Sequence, residues 1–156
     1  MNKIRVDDVM THLVVTLRPK DTIEDAARKL GQNRISGAPV VQERQPVGLV
    51  SEADLLRAFA PPSRGSTNMG ISPLRFLLRG ISPKPVHNTL VRDVMSGDVV
   101  SISPEASVWE AASLLDRHGF RRLPVIDGEG CLIGILTRSD LVRAMADTNP
   151  DLVGSP

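Results

Sequence analysis

Val6-Asp7-Asp8-Val9-Met10 returns as Val91-Arg92-Asp93-Val94-Met95, eighty-five positions along the chain, and everything else is read from that echo. Self-similarity at a fixed offset marks a repeat architecture. The register runs on through Val14-Val15, Pro19, Ala26-Ala27, Leu30 and Pro39-Val40, matched by Val99-Val100, Pro104, Ala111-Ala112, Leu115 and Pro124-Val125. One extra residue in the turn Asp127-Gly128-Glu129-Gly130 moves the offset to eighty-six. Gly48, Asp54-Leu55 and Arg57-Ala58 then match Gly134, Asp140-Leu141 and Arg143-Ala144. Eighteen identities in fifty-five aligned pairs define a tandem repeat with a linker between.

Each copy reads alike. Val14-Val15-Thr16-Leu17 and Val99-Val100-Ser101-Ile102 read as edge strands stopped by Pro19 and Pro104. A helix follows, opened by the capping boxes Thr22-Ile23-Glu24-Asp25 and Ser107-Val108-Trp109-Glu110. Ile23, Ala26, Ala27 and Leu30 recur at helical spacing, as do Val108, Ala111, Ala112 and Leu115. Two strands joined by a polar turn come next, then a helix carrying Asp54–Phe59 or Asp140–Met145. The repeat is β-α-β-β-α, and one copy buries too little surface to stand alone. The expected fold is α/β in the α+β sense: two such repeats packed sheet to sheet as one pseudo-two-fold module. The expected boundaries are 5–60 and 90–146 for the repeats, 61–89 for the linker and 147–156 for a tail. Ser72-Pro73 and Gly80 bracket a short linker helix over 73–79.

Composition sets the outer limits. The chain has 156 residues, 41% hydrophobic and 24% charged, with a net charge of +1, enough apolar content for a packed core. Its one cysteine, Cys131, excludes an internal disulfide framework and fits a reducing compartment. No stretch approaches the roughly 18 apolar residues of a membrane span, and no signal core follows the N-terminal basic residues, so a cytoplasmic protein is expected. Three Phe, one Trp and no Tyr argue against aromatic platforms for single-stranded nucleic acid.

The residues with chemistry gather at one point of each copy. Ser51-Glu52-Ala53-Asp54 and Thr137-Arg138-Ser139-Asp140 lie where a strand ends and a helix begins. A hydroxyl there, beside free backbone N–H groups, suits a phosphate, and an Asp three residues on offers two acceptor oxygens to ribose hydroxyls. The same spacing is a capping box, the commoner use of such residues at a helix start. The two roles are compatible.

Asp-Val-Met at the start of each copy, Pro-Val-Val or Pro-Val-Ile in its middle, and Gly-Leu-Val-Ser-Glu-Ala-Asp-Leu or Gly-Ile-Leu-Thr-Arg-Ser-Asp-Leu near its end resemble the cystathionine-beta-synthase (CBS) domain, here as a tandem pair or Bateman module. The resemblance implies a regulatory module that binds AMP, ADP, ATP or S-adenosylmethionine, pairs as a homodimer and signals to a protein partner; the length leaves no room for a fused enzyme or channel, so a stand-alone module is expected. It implies phosphate or ribose contacts from Ser51 and Thr137 and ribose ligands in Asp54 and Asp140. The adenine walls would come from Ile35, Gly37 and Pro39 in the first copy and Phe120 and Pro124 in the second. Arg121 and Arg122 would reach phosphates, because a guanidinium matches phosphate oxygens bidentately. Thr16 and Ser101 are weaker candidates, and Arg138 adds charge at the helix start. The first copy carries Ser36 and Gly37 where the second has Arg121 and Arg122, so the sites are expected to be inequivalent.

No catalytic constellation and no metal site are expected. A Gly-x-x-x-x-Gly-Lys phosphate loop is missing, and Gly128–Gly134 departs from the dinucleotide fingerprint and precedes a strand. His12, His87 and His118 are scattered; His118 is expected to cap a helix C-terminus, Cys131 to be a core thiol, and Trp109 to serve packing or dimerisation. The competing reading is an interaction module without a metabolite. Between Leu55 and Arg92 stand Arg57, Arg64, Arg75, Arg79, Lys84 and Arg92 and no acid, a run suited to an acidic partner or nucleic acid.

Overall fold

A computed structural model describes residues 4–60 and 88–148. The expected linker helix over 73–79, the basic residues Arg64, Arg75, Arg79 and Lys84, His87, and the tail beyond Thr148 lie outside them. In chain order the elements are α1 (Val6–Val9), α2 (Ile23–Asn33), β1 (Gly37–Gln42), β2 (Gln45–Ser51), α3 (Glu52–Phe59), α4 (Val91–Val94), α5 (Val108–His118), β3 (Arg122–Ile126), β4 (Leu132–Thr137) and α6 (Arg138–Thr148). Among the described residues the architecture is mixed α and β, with two two-stranded sheets, β1–β2 and β3–β4. β3 and β4 pair antiparallel, and the two-residue link between β1 and β2 imposes the same sense.

The expected leading strands are not strands. Each reduces to one parallel bridge, Leu17 with Val40 and Ile102 with Val125. Pro19 and Pro104 follow too soon for a longer ladder, and they lack the N–H it needs. The Asp-Val-Met echoes form one-turn helices, α1 and α4, which the repeat pattern had marked without assigning a conformation. Both capping boxes form: the Thr22 Oγ1 accepts from the Asp25 N–H at 3.1 Å, and the Ser107 Oγ accepts from the Glu110 N–H at 3.2 Å. α2 and α5 end in left-handed residues, Arg34 at φ 53° and Gly119 at φ 65°. His118 lies in the last turn of α5, as expected, and stacks its ring on Phe120 at a centroid distance of 5.2 Å.

The chain forms two compact units, and they do not coincide with the sequence repeats. Of the described residues, one unit (unit I) holds 4–14, 41–47 and 98–148, and the other (unit II) holds 15–40, 48–60 and 88–97. The leading segment of each repeat therefore belongs with the body of the other. In unit I, Val6 N–H donates to Ala106 O at 2.9 Å and Val108 N–H to Ile4 O at 3.1 Å. Val6 and Met10 join a buried cluster with Ile102, Val108, Leu115, Leu123, Val125, Leu136 and Leu141. In unit II, Val91 N–H donates to Asp21 O at 2.8 Å and Ile23 N–H to Thr89 O at 3.2 Å. Val91 is buried there, as are Leu17, Ile23, Leu30, Val40, Val50 and Leu55.

A glycine makes each exchange possible. A Cβ on Gly134 would stand 2.3 Å from the Met10 sulfur, and one on Gly48 would stand 2.5 Å from the Met95 sulfur and 3.0 Å from the Ser96 carbonyl oxygen. Only a hydrogen fits where the methionine of one repeat crosses the strand of the other.

Candidate functional site

The strand-to-helix step is built alike in the two units. In unit II, the Ser51 N–H and hydroxyl both donate to Asp54 Oδ2, at 2.8 and 2.9 Å, and the Asp54 N–H donates to Ser51 Oγ at 3.3 Å. In unit I, the Thr137 N–H and hydroxyl donate to Asp140 Oδ2, both at 2.8 Å, and the Asp140 N–H donates to Thr137 Oγ1 at 3.3 Å. The capping geometry is thus realised at both sites. It engages one carboxylate oxygen fully and aims the other, Oδ1, towards the helix surface.

Arginines meet that second oxygen. Arg57 donates to Asp54 Oδ1 at 2.5 Å, whereas Arg143 stands 3.9 Å from Asp140 Oδ1. Neither arginine was among the expected site residues, although Asp followed three positions later by Arg on a helix is the signal that finds them. Both are largely exposed, so each pair adds little to stability.

The run before each central strand sits against the same step. Glu52 N–H donates to Ser36 O at 2.9 Å, and Arg138 N–H donates to Arg121 O at 3.1 Å. This shared bond places Ser36 and Gly37 beside Ser51 in unit II, and Arg121 and Arg122 beside Thr137 in unit I; Arg122 also pairs with Thr137 in the ladder. Arg121 is exposed and Arg122 half-buried. Arg138 does not extend from the helix: its Nε donates to Phe120 O at 2.8 Å, folding the guanidinium back over the run.

The expected adenine walls divide by burial. Ile35 and Phe120 are half-buried, each with its N–H returned to a helix carbonyl, Leu30 O at 3.1 Å and Leu115 O at 3.0 Å. Gly37 is buried, and Pro39 and Pro124 are fully buried. The two proline carbonyls accept from Leu17 N–H at 2.9 Å and Ile102 N–H at 3.0 Å, so these residues form the floor beneath a site rather than its open surface. Thr16 is half-buried, and its carbonyl accepts from Lys29 Nζ at 3.0 Å.

Ser101 stands apart from the rest. With Ile102, Ser103, Glu105, Ile126, Asp127 and Gly128 it lines a depression of about 350 Å³. That depression adjoins the Ile126 end of β3, four residues or roughly 13 Å along the strand from Arg122 and Thr137. The Thr137–Asp140 step is not part of it. Nearby, donor atoms of Asp127, Glu129 and Cys131 lie within 4.8 Å of one another. Asp127 Oδ1 there accepts the N–H groups of Glu129 and Cys131, both at 2.9 Å, which is the chemistry of a tight turn. Cys131 is buried, as a core thiol should be, and Trp109 is 64% exposed.

Two hairpins each feeding a capped helix, with a short leading helix and a longer one before them, define a tandem pair of small α+β modules. The chain belongs to the CBS domain family, whose sequence profile matches residues 6–61 and 91–147. It is similar to MJ1426 of Methanocaldococcus jannaschii, 33% identical over 152 residues that cover 90% of each chain. It is also similar to the chloroplastic CBS domain-containing protein CBSX1 of Arabidopsis thaliana, 34% identical over 140 residues; this chain spans 57% of that protein's length. Among solved structures, the CBS-pair protein CBSX2 of Arabidopsis thaliana superposes with a TM-score of 0.74 at 31% identity, covering 94% of this chain and 97% of that one. A crystal structure of CBSX2 in complex with AMP gives a TM-score of 0.71 at 32% identity, covering 93% and 98%. Among the described residues, no helix is long and apolar enough to cross a membrane.

Proposed function

We propose that this chain is a non-catalytic regulatory module that binds an adenosine nucleotide (AMP, ADP or ATP) or S-adenosylmethionine, and that occupancy changes its conformation or its hold on a protein partner. The observation that carries the reading is the duplicated step Ser51–Asp54 and Thr137–Asp140. Each presents a carboxylate whose outer oxygen, Oδ1, keeps acceptor capacity for ribose hydroxyls beside its arginine, next to a hydroxyl and the first N–H groups of a helix of eight residues or more. The AMP complex of the similar CBSX2 supports the ligand class.

In this reading Asp54 and Asp140 hold ribose, and Ser51 and Thr137 contact phosphate or ribose. Ile35, Gly37 and Phe120 bound the adenine above Pro39 and Pro124, Arg121 and Arg122 reach phosphates, and Thr16, Ser101 and Arg138 are auxiliary. The module acts in the cytoplasm as a homodimer. Ligand shifts it only by binding one arrangement more tightly than another. Calorimetry on ligand-stripped protein with each of the four ligands tests this. At least one is expected to bind, and Asp54→Ala and Asp140→Ala are each expected to weaken binding by about tenfold or more, since each strips a charge-assisted ribose contact. Absence of binding by all four would sink the proposal.

A further inference from the structure

The two candidate sites share a backbone and differ in charge. The bond from Glu52 N–H to Ser36 O has its counterpart in the bond from Arg138 N–H to Arg121 O, so these residues occupy equivalent places. At three matched positions unit II carries Ser36, Gly37 and Glu52, and unit I carries Arg121, Arg122 and Arg138. One site therefore has a single negative charge where the other has three positive ones. The carboxylates differ in the same direction. Asp54 Oδ1 is held by Arg57 at 2.5 Å, which spends that cation locally, while Arg143 stands off Asp140 Oδ1 at 3.9 Å and keeps donors for a ligand. Arg121 is exposed and makes no ion pair among the described residues, and Arg138 is anchored by Nε alone.

From this we infer that the two sites sort ligands by the charge at the 5′ end of the nucleoside, a refinement that rests on the adenosine reading above. Unit I takes a nucleoside di- or triphosphate. Unit II takes a nucleoside whose 5′ substituent is neutral or cationic, because Glu52 repels a polyphosphate at the place where Arg138 would attract it. Both guanidiniums stand at the surface, where one charge contact at about 4 Å is worth roughly a fivefold change in affinity and several acting together multiply. Ordinary salt screens such exposed charges, so discrimination falls as ionic strength rises.

The test titrates the ligand-stripped full chain with ATP, AMP and uncharged adenosine at low and moderate salt. ATP is expected to fill one site per chain. Arg121→Ser combined with Arg138→Glu is expected to weaken ATP by on the order of a hundredfold and adenosine by less than about threefold. The reverse change, Ser36→Arg with Glu52→Arg, is expected to raise ATP stoichiometry from one to two, which also guards against a variant that merely folds poorly. Two equal ATP sites in the wild type, or ATP affinity unmoved by the unit I substitutions while adenosine still binds, would overturn this inference and leave the adenosine reading standing. If none of the three ligands binds, the inference fails, and the adenosine reading fails with it when S-adenosylmethionine is not bound either.

Discussion

The two repeats carry the same hydroxyl–carboxylate step to within 0.1 Å in each of its three hydrogen bonds, yet their hairpins are built differently. β1 and β2 are joined by Glu43 and Arg44, both with positive φ, at 50° and 68°. β3 and β4 are joined by a longer turn in which Gly130 takes the positive φ of 82° and Asp127 ties the loop. The first hairpin accepts strain at two side-chain-bearing residues, and the second relieves it with a glycine and an extra residue. What the chain keeps alike is the backbone scaffold holding the carboxylate, while the turns and the charges beside it are free to diverge.

The strongest way to break the likeness is at the crossing glycines. Gly134→Ala and Gly48→Ala are each expected to cost about 1–3 kcal/mol through overpacking, read from denaturant midpoints. They should respond differently to a second change. Met10→Ala opens the space above residue 134, so it should restore part of the loss from Gly134→Ala. Met95→Ala should rescue Gly48→Ala less, because the Ser96 carbonyl oxygen still stands 3.0 Å from the added methyl. Equal rescue in both units would contradict the backbone constraint assigned to Gly48.

A smaller effect is expected at the turns. Replacing Glu43-Arg44 with Asn-Gly, the pair suited to a two-residue turn with positive φ at both positions, should stabilise the chain by about 1 kcal/mol. Gly130→Ala, at the corresponding end of the other hairpin, should destabilise it by about as much. Thermal melts of the two variants separate the strained turn from the relaxed one, and a destabilised Asn-Gly variant would refute the strain assigned to the first.

The smallest effect is a pH slope. The hydrogen bonds from Thr22 hold the Asp25 carboxyl below the usual carboxylate range, and the Ser103 hydroxyl does the same for Glu105. A depressed carboxylate contributes stability above its unfolded pKa of about 4, and that contribution disappears as pH falls through the lower folded value. Melting temperature measured from pH 7 down to pH 3 should therefore fall less steeply in Asp25→Asn and in Glu105→Gln than in the wild type. Unchanged slopes would remove these two carboxylates from the acid limb of stability.

Much of this molecule could be read from its residues. The helices over 23–33 and 108–118 followed from capping boxes and the spacing of Ile23, Ala26 and Leu30 or Val108, Ala111 and Leu115, because caps and apolar periodicity act over a few residues. The Ser51–Asp54 and Thr137–Asp140 steps were legible for the same reason. The leading strands were overcalled at Val14–Leu17 and Val99–Ile102, since an apolar run signals burial without saying how many ladder bonds it makes. Arg57 and Arg143 stand outside the expected site although Asp-x-x-Arg on a helix marks them, whereas the fold-back of Arg138 onto Phe120, eighteen residues away, depends on the backbone first bringing the two within reach.

The repeat in the sequence determined that there would be two alike bodies, their order of elements and the local geometry of each strand-to-helix step. These are set by interactions within a few residues, and they recur wherever the pattern recurs. Only the tertiary structure decided that each leading segment joins the body of the other repeat, with Met10 over Gly134 and Met95 over Gly48. Both repeats carry the same Asp-Val-Met and the same glycine, so pattern alone cannot say which methionine meets which strand; that choice depends on how the whole chain closes.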